Sequence, residues 1–335
     1  MIVVVLVNWN GHHDTVECLE ALMRLDTPTS EFRVIVSDND SAPGSIEHIV
    51  GWCEDRVEVD RSGSAWSGLP KERRHRHDHR VIDLGAPGSF ADAPLVTILR
   101  NGANLGFAGG NNTAIRLALT DPTVEAVWLL NNDTICRPDA LDRLSERMRA
   151  EPDLGMLGST LVYYDDPTKV QGLGGWFDGR KGMGDHIGKF TDLDALPSRE
   201  AVEHEMTYVI GASMLVSRRF LEEVGLMEES YFLYFEETDW SERNAGRFRI
   251  GWEPASIVWH KEGGSIGTSL RHRASNTSLY FLNRNLLHFT RTYYPRSMPM
   301  IAVRILARAV RFLVRRDIDG ARVVIRAGRD YLLGR

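Results

Sequence analysis

Residues 127–134 read Val127-Trp128-Leu129-Leu130-Asn131-Asn132-Asp133-Thr134. Apolar residues in a row, without alternation, describe a strand buried on both faces, as in parallel sheets. The carboxylate that follows stands where open α/β sheets bind ligands, beyond the carboxyl ends of the strands. Asp133 is therefore the leading functional candidate. The competing reading makes Asn132-Asp133 a cap for a helix over 138–149.

Upstream, the same kind of unit recurs. The run over 2–7 is a buried strand that ends in Asn8-Trp9-Asn10-Gly11. A helix over 14–25 follows, with apolar Val16, Leu19, Leu22 and Met23 and with Asp14 or Thr15 as its cap. The strand over 32–36 ends in Ser37-Asp38-Asn39-Asp40-Ser41. Strand, helix, strand at this spacing is a βαβ unit with parallel strands and a right-handed crossover. A helix over 44–53 comes next. After a third strand over 95–99, Asn101-Gly102-Ala103-Asn104-Leu105-Gly106-Phe107-Ala108-Gly109-Gly110-Asn111-Asn112 leads into a helix ending near 119. A glycine-rich loop at a helix N-terminus suits a phosphate; a plain structural turn uses glycines in the same way.

Residues 56–94 break the alternation. They hold a small polar run, a basic stretch (Lys71, Arg73, Arg74, His75, Arg76, His77, His79, Arg80) and a Gly/Pro/Ala-rich run. They read as a long surface insertion. Its alternate histidines, 75, 77 and 79, fit a solvated charge run better than a metal site, and contact with an anionic substrate is a third reading.

Downstream, an apolar segment spans 155–162. Glycines crowd 171–188 and imply loops or a small hairpin. A strand with a glycine kink spans 208–216, followed by a helix over 218–224. Tyr231-Phe232-Leu233-Tyr234-Phe235 then delivers three acids, Glu236, Glu237 and Asp239. Burial and mutual repulsion should raise the pKa of such carboxylates, as suits a general base. The same acids fit the first turn of a helix. Ile257-Val258-Trp259-His260 is a short strand that ends in a histidine beside Gly263-Gly264-Ser265.

A chain of 335 residues, 43% hydrophobic and 26% charged, forms one large α/β domain or two smaller ones. A net charge of −6 excludes a general polyanion binder, so no nucleic acid is expected as a partner. Cys18, Cys53 and Cys136 form neither a close pair nor a metal-ligand spacing, which fits a reducing, cytoplasmic compartment. The apolar N-terminus lacks the basic lead of a signal peptide, and no apolar stretch reaches the roughly 20 residues of a membrane span. The C-terminus differs in charge. Over 284–335 there are twelve arginines against three acids, a net +9 that leaves −15 for the rest. Arg304, Arg308, Arg311 and Arg315 recur on one helical face. A basic amphipathic helix of this kind fits an anionic membrane surface, at the inner face of the cell membrane; packing on the domain or on a second subunit, as in a homodimer, is the alternative.

Taken together these motifs resemble glycosyltransferase family 2, especially its rhamnosyltransferase-like branch. The motifs are Val7-Asn8-Trp9-Asn10, Asp38-Asn39-Asp40-Ser41, Asn104 to Asn112, Leu130 to Asp133, Tyr234 to Asp239, and Trp259-His260 with Gly263-Gly264-Ser265. The resemblance implies an α/β GT-A fold, Rossmann-like, with a mostly parallel sheet flanked by helices. Residues 1–290 would form the GT-A domain and 291–335 a helical C-terminal extension. It also implies a nucleotide-sugar donor (dTDP-rhamnose or a UDP-sugar), a glycan or polyprenyl-linked acceptor, Mn²⁺ or Mg²⁺, and inversion at the anomeric carbon.

By the same resemblance, Asp38 recognises the nucleotide base beside the Asn8–Asn10 loop, while Asn104, Gly106 and Asn111 wall the nucleotide and sugar. Asn131-Asn132-Asp133 stands where the family has Asp-x-Asp, so Asn132 lines the donor and Asp133 is the main metal ligand, with His260 closing the metal site. Glu237 stands at the catalytic base, with Asp239 in reserve. A sugar nucleotidyltransferase lacks support, because no Gly-rich activation loop bearing Arg or Lys follows the first strand. A Rossmann dehydrogenase is disfavoured by the single glycine in the first βα turn. A catalytically inactive scaffold that binds nucleotide sugars or glycans is the remaining alternative, given Asn131 in place of an acid.

Overall fold

The computed structural model describes residues 1–27, 29, 31–59, 61, 63–66, 76–86, 89–261 and 275–334. The chain opens with β1 (Ile2–Asn8), α1 (His12–Leu22), β2 (Phe32–Asp38) and α2 (Ser45–Cys53). It continues through β3 (His79–Asp83), β4 (Val96–Arg100), α3 (Gly106–Ala118), β5 (Ala126–Leu130), β6 (Thr134–Cys136), α4 (Ala140–Ala150) and β7 (Leu154–Tyr163). After the short β8 (Val170–Gly172), β9 (Gly175–Asp178) and β10 (Met183–His186) form a separate antiparallel hairpin. Then come α5 (Arg199–Glu205), β11 (Ser213–Ser217), α6 (Arg218–Glu223), α7 (Glu236–Asn244), β12 (Arg249–His260), α8 (Asn276–Tyr293), α9 (Met298–Val314) and α10 (Ile318–Leu332).

Among the described residues one sheet runs in the order β3-β4-β2-β1-β5-β11-β7-β12-β6, with β8 on β7. The half from β3 to β5 is parallel. β11 is antiparallel to both β5 and β7, and β6 is antiparallel to β12. The unbroken apolar runs are explained by burial on both faces. In β1, Ile2, Val4 and Leu6 pack with α1, α2 and α4, whereas Val3 and Val5 pack with α3 and α6. In β5, Trp128 and Leu130 take the first side, Val127 and Leu129 the second. A third cluster joins α8, α9 and α10 through Leu286, Ile301, Ile305, Val323 and Val324.

The stretch over 56–94 is more than a surface insertion. It supplies β3, an edge strand in register with β4 from His79↔Val96 to Asp83↔Arg100. Ala65 and Trp66 are buried on one side of the sheet, and Phe90 and Ala93 on the other. An edge strand paired on one side needs no apolar run, which is why its sequence hid it. Of the histidines there, His77 stacks on Trp52 at 4.7 Å, whereas Lys71, Arg73, Arg74 and His75 lie outside the described residues.

The helix over 14–25 begins earlier, at His12, without a side-chain cap. The sequence did not mark α5 or α8. Among the described residues no helix is long and apolar enough to cross a membrane.

Candidate active site

The carboxyl ends of β1, β2 and β5 meet at one edge of the sheet. Parallel register puts Asn8 beside Asp38. Antiparallel register between β12 and β6 sets His260 opposite Thr134, and so next to Asp133. The capping role for Asp133 falls away: β6 separates it from α4, whose N-cap position is Asp139.

Asp133 is buried, and its Oδ1 lies 3.2 Å from His260 Nε2. On the far side of the ring, His260 Nδ1 pairs with Gln171 Oε1 at 2.8 Å. A carbonyl acceptor at Nδ1 favours the ring proton there and Nε2 as the ligating atom, the usual support of a metal-ligating histidine. Asn131 Nδ2 lies 3.2 Å from the same Nε2. A carboxylate and an imidazole lone pair aimed at one point fit a divalent cation, with nitrogen favouring Mn²⁺ over Mg²⁺. The Gly263-Gly264-Ser265 loop lies outside the described residues.

Glu237 reaches this centre through the backbone. Asn131 N–H donates to Ala212 O at 3.0 Å, and the adjacent Gly211 N–H donates to Glu237 Oε1 at 3.2 Å. Burial pushes the Glu237 carboxyl up from its ordinary value. Neighbouring Glu236 is pushed well up by burial and then by Glu237, and its Oε1 is buried without a hydrogen-bond partner. Asp239 is bound on several sides: it accepts from Tyr293 OH (2.6 Å), Arg243 Nε (2.7 Å) and Tyr231 OH (3.3 Å).

The segment before α7 is strained. Phe232, Tyr234 and Phe235 hold φ of 67°, 67° and 79°, a region that costs non-glycine residues roughly 1–3 kcal/mol each. Asn285 of α8, fully buried, holds it by donating Nδ2 to the carbonyls of Tyr231, Leu233 and Tyr234 at 2.8–3.0 Å. The glycine-rich loop docks on the same segment, Phe107 N–H donating to Phe232 O at 2.8 Å. Gly106 has φ +71°, and a Cβ there would stand 2.3 Å from Phe232 O.

Asn8 is fully buried and donates to Asp38 Oδ1 (3.3 Å), Ser41 Oγ (3.0 Å) and Ser45 Oγ (3.1 Å). Asn10, at φ +58°, accepts from Ala42 N–H at 2.8 Å. Asn39 donates to Gly106 O at 2.9 Å and joins this loop to the next. Asn104 is exposed and accepts from Gly106 N–H at 3.0 Å, while Asn111 is buried and donates to Phe107 O at 2.9 Å. Asn132 ties the Asp133 turn to α1 through Thr15 Oγ1 at 2.9 Å. Sequence reasoning missed Gln171, Gly211 and Asn285, because each meets its partner only through the fold.

A mixed, mostly parallel sheet with this site at the carboxyl ends of its strands defines the GT-A class. Three solved structures share the fold. The mannosyltransferase PcManGT from Pyrobaculum calidifontis, in complex with GDP-Man and Mn²⁺, is 14% identical with a TM-score of 0.54, covering 99% of this chain and 86% of that one. GalNAc-T7 with UDP, GalNAc and Mn²⁺ is 13% identical (TM-score 0.56; 89% and 48% covered). TarS 1-349 of S. aureus with UDP-GlcNAc is 12% identical (TM-score 0.52; 98% and 80% covered). Residues 89–225 match the family described as "Glycosyl transferase family 2". The low-salt glycan biosynthesis hexosyltransferase Agl10 of Haloferax volcanii is 24% identical over 152 residues, 43% of this chain and 44% of that protein. The family match thus covers residues 89–225, and the likeness to the GT-A structures extends over nearly the whole chain.

Proposed function

We propose that the chain is a metal-dependent, inverting glycosyltransferase. Its donor is a nucleotide-diphosphate sugar, with dTDP-rhamnose or a UDP-sugar as candidates, and its acceptor a hydroxyl of a glycan or polyprenyl-linked saccharide. The observation that supports this is the Asp133–His260 pair at the carboxyl ends of the strands, with Glu237 tied to the same turn through the Gly211–Ala212 backbone. Two of the solved neighbours hold Mn²⁺ and a nucleotide or nucleotide sugar, which supports the class of ligand.

Asp133 and His260 would hold Mn²⁺ or Mg²⁺, which neutralises charge on a departing nucleoside diphosphate. Gln171 orients His260. Asp38 would recognise the base beside the Asn8–Asn10 loop, and Asn104 stands at the loop rim; Asn8, Asn111 and Asn132 hold these loops in place. Glu237 takes the proton from the acceptor hydroxyl as its oxygen attacks the anomeric carbon. The bond to the phosphate oxygen breaks on the opposite face, and its electron pair leaves with the diphosphate. Attack opposite the leaving group inverts the centre. Asp239, with its three donors, anchors the Tyr231–Glu237 segment. We further propose that α9 and α10 dock on an anionic lipid surface on the cytoplasmic side, because α9 turns an apolar face and an arginine ridge to solvent.

The test is hydrolysis and transfer over a nucleotide-sugar panel with Mn²⁺, Mg²⁺ or EDTA, comparing wild type with Asp133→Asn. Metal-dependent release of one nucleoside diphosphate, lost in the variant, supports the reading. Absence of both turnover and metal-dependent donor binding in calorimetry overturns it in favour of an inactive scaffold.

A further inference from the structure

His12 and His13 open α1, and His48 lies in α2. Their rings face one another, with centroids 4.3, 4.6 and 4.8 Å apart. One ring nitrogen from each lies within 4.8 Å of the other two, the only such group of His, Cys, Asp or Glu among the described residues. His12 Nδ1 is buried without a hydrogen-bond partner. Three imidazoles gathered without a carboxylate between them are an odd choice for packing alone.

We propose that His12, His13 and His48 form a site for a borderline divalent transition ion of the Zn²⁺, Co²⁺ or Cu²⁺ class, separate from the Asp133–His260 pair. An all-nitrogen set selects such ions against Mg²⁺ and Ca²⁺, and three protein ligands leave a coordination position for water. Small rotations of part-exposed rings bring the nitrogens to bonding range. The site links the start of α1 to α2. Asn10 N–H donates to Ser41 Oγ at 2.9 Å, so the β1–α1 connection already touches the turn that leads into α2. An ion held by all three histidines locks that connection against α2. On the functional reading above, these loops form the nucleoside wall; the binding of the ion does not depend on that reading.

The experiment uses the full chain without a histidine tag, stripped with EDTA. Zn²⁺ is titrated by calorimetry, and Co²⁺ by visible absorption, for wild type, His13→Gln, His48→Gln and Asp133→Asn. The expected result is one ion retained by Asp133→Asn and weakened at least about 100-fold in each histidine variant, since even outer-shell changes cost about 10–100-fold. Circular dichroism without metal establishes that the variants fold, and the exposed position of His13 makes that substitution the milder one. Wild-type affinity in both folded histidine variants, or a wild type that binds only the ion lost in Asp133→Asn, overturns the proposal. Neither readout involves glycosyl transfer, so this site and the proposed activity fail independently.

Discussion

The carboxylates of Glu236 and Glu237 sit side by side where water is scarce, and the fold resolves their repulsion by holding one to the Gly211 N–H and burying the other. On the proposed reading, replacing Glu237 by an amide of equal shape should remove proton transfer and little else. Glu237→Gln is expected to lower kcat by about 10²–10⁴-fold, the usual range for a general base, with donor affinity by calorimetry unchanged. Normal turnover in that variant would move the role to another group. In wild type the base works deprotonated, so activity falls as pH drops through a pKa raised above the ordinary 4.5, and the acidic limb of kcat/KM should lie above that value. Gly211 sets the position of this carboxyl: a Cβ there would stand 2.3 Å from Glu237 Oε1. Gly211→Ala should lower kcat well beyond any loss in Tm, a split that assays and thermal melts on the same sample can read. Glu236 bears on stability. Its pKa is raised on folding by burial and then by Glu237, so its stabilising contribution is full below the unfolded value and is lost as pH rises. Glu236→Gln should flatten that decline in urea midpoints measured from acid to neutral pH.

The turn before α7 is held from outside. Three aromatic residues at positive φ would relax if left alone, and α8 prevents this through one amide, Asn285, on three carbonyls. Asn285→Ala removes those bonds and strands buried acceptors, at a cost of about 1–3 kcal/mol. Thermal melts should show that loss, and activity should fall further than stability does, because Glu237 opens the helix that this turn aims. Equal losses would assign Asn285 to packing alone. This clamp also shows what the sequence could carry. The runs of β1, β2 and β5 were readable because burial on both faces demands unbroken apolar residues, and Asp133, His260 and Glu237 stood out as candidates because each follows such a run or an aromatic one. Strands β3 and β6 were not readable: one is paired on a single side, the other is three residues long. Gln171 and Asn285 lie in no motif, and Gln171 reaches His260 across 89 residues of chain. The His12, His13 and His48 cluster was equally hidden, since only the packing of α1 on α2 assembles it.

The whole molecule is asymmetric in charge, with a basic C-terminal end on an acidic body, and its surface apolarity follows the same division. On α9, Ile301, Ile305 and Ala309 pack inward. The opposite face leaves Val303, Leu306, Val310 and Val314 exposed by 65, 64, 50 and 77%. Arg304, Arg308, Arg311 and Arg315 run between the two faces. Arg308 is pushed down by burial and by Arg304 and Arg311, a crowding that an anion on the ridge would relieve. On α10, Ile318, Ile325 and Leu332 are also exposed. An apolar stripe edged by arginines matches the boundary of an anionic bilayer, where each basic side chain contributes about 1 kcal/mol. Sedimentation with phosphatidylglycerol vesicles should therefore pull the chain down at low salt, and phosphatidylcholine alone should do so far less. Reversing Arg311 and Arg315 to Glu should weaken the anionic binding by about 10–100-fold. Leu306→Asp with Val310→Asp should weaken binding to both lipids, because it removes the apolar share that charge does not supply. A chain that stays in the supernatant with either lipid, while ultracentrifugation shows a dimer lost in the Leu306→Asp, Val310→Asp variant, would assign this face to a second copy instead.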